Sequence, residues 1–174
     1  LDDRVPMPMY RGNNVVKMSD VTKESTAALV KDMTDWMFNN LGPDGRMVYL
    51  YEPSREEEPP NKNNMIRQWM GTIAMTRAGK RAGDPGLIKR AGDNIRYNLS
   101  KFYFDQTITT DKGDTVYGRI EFQNRAKLGA MALACLALIE HPERKAWAKE
   151  EQALRTSIRS LLKPNGRFAV FFKP

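Results

Sequence analysis

Two segments of this sequence, 121 residues apart, repeat one another without a gap. Residues 41–53 read LGPDGRMVYLYEP and residues 162–174 read LKPNGRFAVFFKP. A leucine, a proline, a glycine, an arginine and a final proline recur, and Asp44 corresponds to Asn165. Repeats of this kind mark a supersecondary unit that is used more than once. The sequence therefore predicts that a helix, a P-[DN]-G-R turn and an apolar strand occur twice.

The residues before each turn match in helical phase as well, since Met33 corresponds to Leu154 and Met37 to Ile158. Apolar spacing predicts five helices, and Asp84 with Pro85 forms the expected start of the third. Ser19 or Asp20 is the expected cap of the first. The predicted helices cover about 20–40, 63–79, 85–102, 118–140 and 143–162. The predicted strands are 47–51 and 168–172, with a hairpin in 103–117.

The second copy of the repeat stops where its following helix should begin. The fifth helix therefore lacks a hairpin partner in this sequence, and its apolar face needs another surface. We expect the remainder of a longer chain, or another subunit, to pack on residues 143–174. The domain organisation that follows is an extended arm at 1–18 and a helical hairpin domain at 19–174.

Several short motifs resemble the repeat units of α/α toroids. Residues 64–67 (NMIR), the small Gly71, and residues 83–85 (GDP) resemble the start of such a unit, and the small-residue run 128–138 resembles an inner helix. Over residues 20–174 the chain is similar to the toroid domain of D-glucuronyl epimerases and, more loosely, to six-hairpin glycosidases and polysaccharide lyases. The resemblance implies a mainly α fold: antiparallel hairpins of an incomplete α/α toroid, with short β-strands and hairpins in the connecting loops.

Two functions follow from this resemblance and stay open at this point. The first is action on an acidic, uronate-containing poly- or oligosaccharide by epimerisation, elimination or hydrolysis, at the mouth of the toroid. The second is a non-catalytic helical module that binds an anionic glycan or a partner protein. Toroids support many chemistries, so the resemblance does not decide whether the chain is an enzyme. The compartment, periplasmic or extracellular against cytoplasmic, is left open too.

Charge and composition restrict the chemical classes of partner that this sequence predicts. Lysine and arginine number 28 and aspartate and glutamate 21, so the net charge is +7 and favours anionic partners. Nucleic acid, acidic polysaccharide and anionic lipid are such partners, and nucleic acid is the less expected because no recognised nucleic-acid motif is present. An acidic glycan is the partner that the resemblance implies. One histidine and one cysteine exclude a multi-histidine or cysteine-rich metal site within this sequence, and no cofactor is expected. The longest apolar run, 128–139, is too short to span a membrane.

Candidate binding residues cluster at the predicted starts of the second and fourth helices. Asn63 and Arg67 are four residues apart and are expected to share a helix face, where Arg67 can clamp a carboxylate by two hydrogen bonds. The alternative is that Arg67 holds loop carbonyls or the acidic segment 56–58. Tyr49, Tyr51 and Tyr117 can stack on a sugar face or serve as acid/base groups, with core packing as the competing role for Tyr49 and Tyr51. The full set is Asn63, Asn64, Arg67, Gln68, Tyr49, Tyr117, Asn124 and Arg125.

Three residues are candidates for catalysis: Tyr51, Glu52 and Glu121. Glu121 and Arg125 are four apart in the predicted fourth helix, where the carboxylate can act as a base or form an ordinary surface ion pair. Glu52 and Glu121 are the one pair nominated for hydrolysis, which needs two carboxylates across a bond. Tyr51 is an acid/base candidate because the resemblance implies tyrosine chemistry in epimerases.

Overall fold

A computed structural model describes residues 9–10, 13–14, 16–59 and 62–172. The chain divides into two compact units, Leu1–Trp36 and Met37–Pro174. Most of the predicted arm at 1–18 lies outside the described residues. Its described part contains two short antiparallel strands, β1 (Met9–Tyr10) and β2 (Asn13–Asn14).

The first unit continues with a 3₁₀ turn at Met18–Asp20 and most of helix α1 (Lys23–Asn39). Thr22 begins this helix in place of the predicted Ser19 or Asp20. Its hydroxyl accepts from the Ser25 N–H at 3.1 Å, while the Ser25 hydroxyl accepts from the Thr22 N–H at 2.9 Å. This reciprocal pair satisfies two donors that have no partner within a helix.

Helices α2 (Met65–Ala82) and α3 (Pro85–Phe102) form a hairpin in the second unit. Gly83 closes α2 in the left-handed region, with φ of 63°. The Asp84 side chain accepts from the N–H groups of Gly86 and Leu87, and Pro85 takes the first helical position. The prediction for the start of the third helix is therefore confirmed.

A four-stranded antiparallel sheet is the main departure from the predicted fold, although it contains the hairpin predicted in 103–117. Strands β3 (Tyr103–Thr110), β4 (Gly113–Phe122), β5 (Arg125–Lys127) and β6 (Phe171–Phe172) lie in the order β3-β4-β5-β6. Five helices together with this sheet make a mixed α+β fold. The prediction of a mainly α toroid of helical hairpins was therefore wrong.

The error lies in residues 118–127, which were assigned to the start of the fourth helix. Gly118 and Ile120 are buried, whereas Tyr117, Arg119 and Glu121 are only partly covered, and this alternation is the period of a strand. Gln123 and Asn124 have φ of 52° and 59°, as a two-residue hairpin turn requires. The turn ends β4 and starts β5, so helix α4 begins only at Leu128.

Helix α4 (Leu128–Glu140) is followed by a 3₁₀ turn at Arg144–Trp147 and by α5 (Ala148–Ser160). α2, α3, α4, α5 and the inner face of the sheet enclose one core, in which Trp69, Ile95, Met131 and Leu154 have no exposed surface. The apolar side of α5 is thus covered by α4 and β4 within the chain. Among the described residues, no helix combines the length and apolar character needed to cross a bilayer.

The internal repeat is visible in the backbone. We call residues 41–47 the first turn and residues 162–168 the second turn. In the first turn, the Gly42 N–H donates to the Arg46 carbonyl at 2.8 Å. In the second turn, the Lys163 N–H donates to the Arg167 carbonyl at 2.8 Å. An isolated bridge closes each turn, Leu41 with Met47 and Leu162 with Phe168. The predicted strand 47–51 is not formed, and of the predicted strand 168–172 only β6 pairs with a neighbouring strand.

The two turns share further details at the same offset. Asp44 Oδ1 accepts from the Arg46 N–H at 3.0 Å, and Asn165 Oδ1 accepts from the Arg167 N–H at 3.1 Å. Gly45 and Gly166 have φ of 84° and 77°. The repeat therefore specifies one turn conformation twice, as the sequence predicts.

Their surroundings differ. Gly45 is buried, and a Cβ atom built on it would lie 2.3 Å from the Asp93 carbonyl oxygen of α3. Gly166 is exposed, and the same atom would have no neighbour within 4 Å. The first turn is docked on the helical hairpin, while the residues of the second turn are exposed.

We predict that Gly45→Ala destabilises the protein far more than Gly166→Ala. Both substitutions place a side chain at positive φ, which costs about 1 kcal/mol. Only Gly45→Ala adds a clash with backbone, which raises its total cost to about 3 kcal/mol or more. Urea unfolding of the two variants measures the difference, and equal losses would contradict the docking of the first turn.

Candidate functional site

The residues predicted at the start of the second helix form one hydrogen-bonded group. The Asn64 side chain caps α2 by accepting from two N–H groups of its first turn. Asn63 Oδ1 accepts from the Asn64 N–H at 2.8 Å and from Gln68 Nε2 at 3.0 Å. Gln68 is buried and also donates to the Met47 carbonyl. Asn64 and Gln68 thus serve the fold, whereas no described residue accepts a hydrogen bond from the Asn63 amide nitrogen.

Arg67 lies beside Tyr49. Its Nη1 donates to the Tyr49 hydroxyl at 3.3 Å, and its guanidinium carbon is 5.8 Å from the ring centroid, within the range of a cation–π contact. Asn63 precedes the helix, so it does not share a helical face with Arg67 as predicted. Arg67 is exposed and stands apart from the cavity that Asn63 lines.

A small cavity joins the two regions that the sequence singled out. It measures about 110 Å³ and lies between the start of α2 and the β4–β5 turn. We call it the basic pocket. Apolar side chains of Met65, Ile66, Ile120, Phe122 and Ala130 contribute to its wall, and its polar lining comes from Asn63, Asn64, Gln123, Arg125 and Lys127. Asn63, Asn64 and Arg125 were predicted; Gln123 and Lys127 were not.

The basic pocket is electrostatically positive. No carboxylate lines it, and neither Arg125 nor Lys127 has an ion-pair partner in the part of the chain that the structure describes. The amino end of α2 adds the positive end of an 18-residue helix dipole. An anionic group therefore finds two cations, an amide donor and a favourable helix end in one place.

The catalytic candidates do not line this pocket. Tyr51 is exposed, and Glu52 lies 3.4 Å from Arg55 in its own loop. Glu121 pairs with Arg119 at 2.7 Å and not with Arg125, because 118–122 is a strand. Glu121 lies on the face of β4 opposite Ile120, which lines the pocket. Within the described residues, no contact brings the two nominated carboxylates together.

The remaining predicted residues lie around the sheet. Tyr117 stacks on Phe172, with ring centroids 6.1 Å apart and planes at 29°. Asn124 is exposed in the β4–β5 turn. Its neighbours Gln123 and Arg125 line the basic pocket, but Asn124 does not. Tyr117 therefore packs within the chain, and Asn124 shapes the turn that presents Arg125.

The sequence analysis missed a second, larger cavity. A groove of about 700 Å³ runs between the β3–β4 hairpin and α5, and we call it the acidic groove. Asp105, Asp114 and Glu150 line it together with Tyr103 and one cation, Lys149. Burial raises the pKa of the Tyr103 phenol, and Asp105 and Glu150 raise it further. These residues come from three elements, so the spacing of residues along the sequence does not predict the groove.

Comparisons of the chain with protein-family models, with curated proteins and with solved structures gave no match. Within the described residues, no three histidine, cysteine, aspartate or glutamate side chains converge in a way that could hold a metal ion. The residues that line the basic pocket therefore indicate the chemistry of the site.

We predict that Tyr103→Phe changes how stability depends on alkaline pH. An unfolded tyrosine loses its proton near pH 10, whereas the folded Tyr103 retains it because its pKa is raised. The free energy of unfolding of the native chain should fall above about pH 10, since its unfolded state is then the more readily deprotonated. Urea titrations of both proteins from about pH 8 to pH 11 test this. A stability difference between them that stays constant with pH would contradict it.

Proposed function

We propose that the protein is a non-catalytic module that holds the anionic group of an acidic oligosaccharide in the basic pocket. The observation that carries the proposal is the convergence of Arg125, Lys127 and the Asn63 amide on one cavity without any carboxylate. Arg125 offers two parallel N–H donors to a carboxylate, a geometry that adds specificity to charge attraction. Lys127 and the end of α2 supply further positive potential.

The wall of the pocket supports a sugar rather than a bare ion. A pyranose ring has an apolar C–H face and a rim of hydroxyl groups. The side chains of Ile66 and Phe122 provide an apolar surface, while Asn63 and Gln123 provide amide groups. Small-ligand sites commonly combine an apolar lining with a few placed polar groups.

The volume limits what enters. About 110 Å³ is well below the pockets that enclose a complete drug-sized ligand. We therefore expect one uronate residue, at an end of the oligosaccharide or projecting from it, to enter the pocket. The rest of the glycan then lies along the surface, where the net charge of +7 favours a polyanion.

Binding is favoured over epimerisation, elimination or hydrolysis because Tyr51, Glu52 and Glu121 do not line the pocket. A catalytic reaction at this anion site needs an acid or base within reach of the bound sugar. Arg125 and Lys127 are charged at neutral pH and suit binding rather than proton abstraction.

We predict that oligogalacturonate binds the chain in low salt and that the double variant Arg125→Ala/Lys127→Ala binds at least about 10-fold more weakly. Isothermal titration calorimetry measures both affinities. The matched control is Lys112→Ala/Lys145→Ala, which removes the same charge at exposed positions that do not line the pocket.

A second control changes the ligand. Reducing the carboxyl groups of the oligogalacturonate to alcohols keeps the ring and removes the anion, so its affinity should fall by a similar factor. Equal losses in the two double variants would contradict the pocket as the site. An altered or shortened oligosaccharide after incubation, seen by mass spectrometry and NMR, would contradict a non-catalytic role.

A further inference from the structure

The first and second turns have the same backbone but opposite environments. Leu41 is 5% exposed, whereas its counterpart Leu162 is 52% exposed. Phe168, the counterpart of the partly buried Met47, is 46% exposed. In the first turn, the apolar side chains at these two positions are covered by the α2–α3 hairpin. The second turn therefore carries apolar groups that its conformation does not itself require.

Specific hydrogen bonds hold the first turn on α3. Arg90 Nη2 donates to the carbonyl oxygens of Phe38 and Leu41 at 2.7 and 2.8 Å. Asn94 Nδ2 donates to the Gly45 carbonyl at 2.8 Å. Arg90 and Asn94 are four residues apart, so one helix face supplies both donors.

The second turn offers the same acceptors without a donor. The carbonyls of Leu162 and Gly166 correspond to those of Leu41 and Gly45, and no described residue donates to them. Arg46 forms an ion pair with Glu58, whereas its counterpart Arg167 has no ion-pair partner among the described residues. The bare surface thus lacks two donors and one carboxylate that the first turn has.

An apolar cleft adjoins the end of α5 close to the second turn. It measures about 440 Å³ and lies between α4 and α5, with Leu136, Ile139 and Ile158 in its wall. Arg159 lines the same cleft and also has no ion-pair partner in the described part of the chain. The apolar surface and its cationic edge together suit an amphipathic helix with acidic flanks.

We propose that the second turn and this cleft form a docking surface for an antiparallel helical hairpin of a partner protein. One helix of the partner presents an arginine and an asparagine, four residues apart, to the carbonyls of Leu162 and Gly166. Apolar side chains of the hairpin cover Leu162 and Phe168, and a carboxylate pairs with Arg167. The surface is distinct from the basic pocket, so the proposal does not depend on glycan binding.

A second copy of this chain is a poor occupant. Its own α2–α3 hairpin already holds its own first turn through Arg90 and Asn94. The partner therefore needs a hairpin of the same chemistry whose face is open.

The test supplies such a hairpin. A duplicate of residues 54–102 is appended to the 174-residue chain after Pro174, so that Pro174 takes the place of Pro53 in the repeat. Tethering keeps the hairpin at a high effective concentration. We expect the amides of 163–169 to exchange hydrogen at least about 10-fold more slowly than in the original chain. Hydrogen-exchange mass spectrometry measures this, and circular dichroism shows whether the added segment is helical.

The matched control carries Arg90→Ala and Asn94→Ala in the appended copy alone, which leaves the original hairpin intact. It should lose the added protection. Unchanged exchange at 163–169, an appended segment that stays unfolded, or equal protection in the alanine version would each overturn the proposal. A dimer of the original chain in light scattering, with protected 163–169 amides, would also overturn it by showing that a second copy is the occupant.

Discussion

A buried polar cluster around Asn94 is the interaction on which the second unit depends. Asn94 donates to the Gly45 carbonyl at 2.8 Å and accepts from Thr72 and Asn98, all within the core. A buried amide that loses its partners costs about 1–3 kcal/mol, so the first turn has one favoured position on the helical hairpin. The second turn has the same backbone conformation without a described partner of this kind. The repeated sequence therefore determines the turn conformation, and packing on the hairpin adds stability to the first turn.

The same cluster connects the fold to the candidate site. Docking of the first turn places the Met47 carbonyl within reach of Gln68, and Gln68 also donates to Asn63 Oδ1 at 3.0 Å. Both hydrogen bonds to the Asn63 side chain use its oxygen, and Asn63 also lines the basic pocket. The β4–β5 turn brings Arg125 and Lys127 to the opposite side. The pocket is therefore held by a core element on one side and by the sheet on the other.

Local signals predicted the parts that local chemistry determines. Asp84 with Pro85 started α3, and the glycine at positive φ in each repeat gave the same turn. The helix prediction for residues 118–127 was wrong because the four-residue spacing of Glu121 and Arg125 also fits a helix. The turn at 123–124 lacks the glycine that would have indicated a hairpin. Asn63, Asn64 and Arg125, which the sequence analysis named as binding candidates, line one cavity, although Arg125 was assigned to a helix and lies in a strand. The acidic groove needs three elements to meet, and only tertiary packing brings them together.

One turn conformation, used twice in this chain, is stabilised by docking in one copy alone. Native-state hydrogen exchange compares two equivalent amides, Gly42 and Lys163, whose N–H groups make the same 2.8 Å bond across their turns. We predict that the Gly42 amide exchanges only when the second unit unfolds, at least about 100-fold more slowly than the Lys163 amide, which exchanges by local opening. Equal protection of the two amides would contradict the claim.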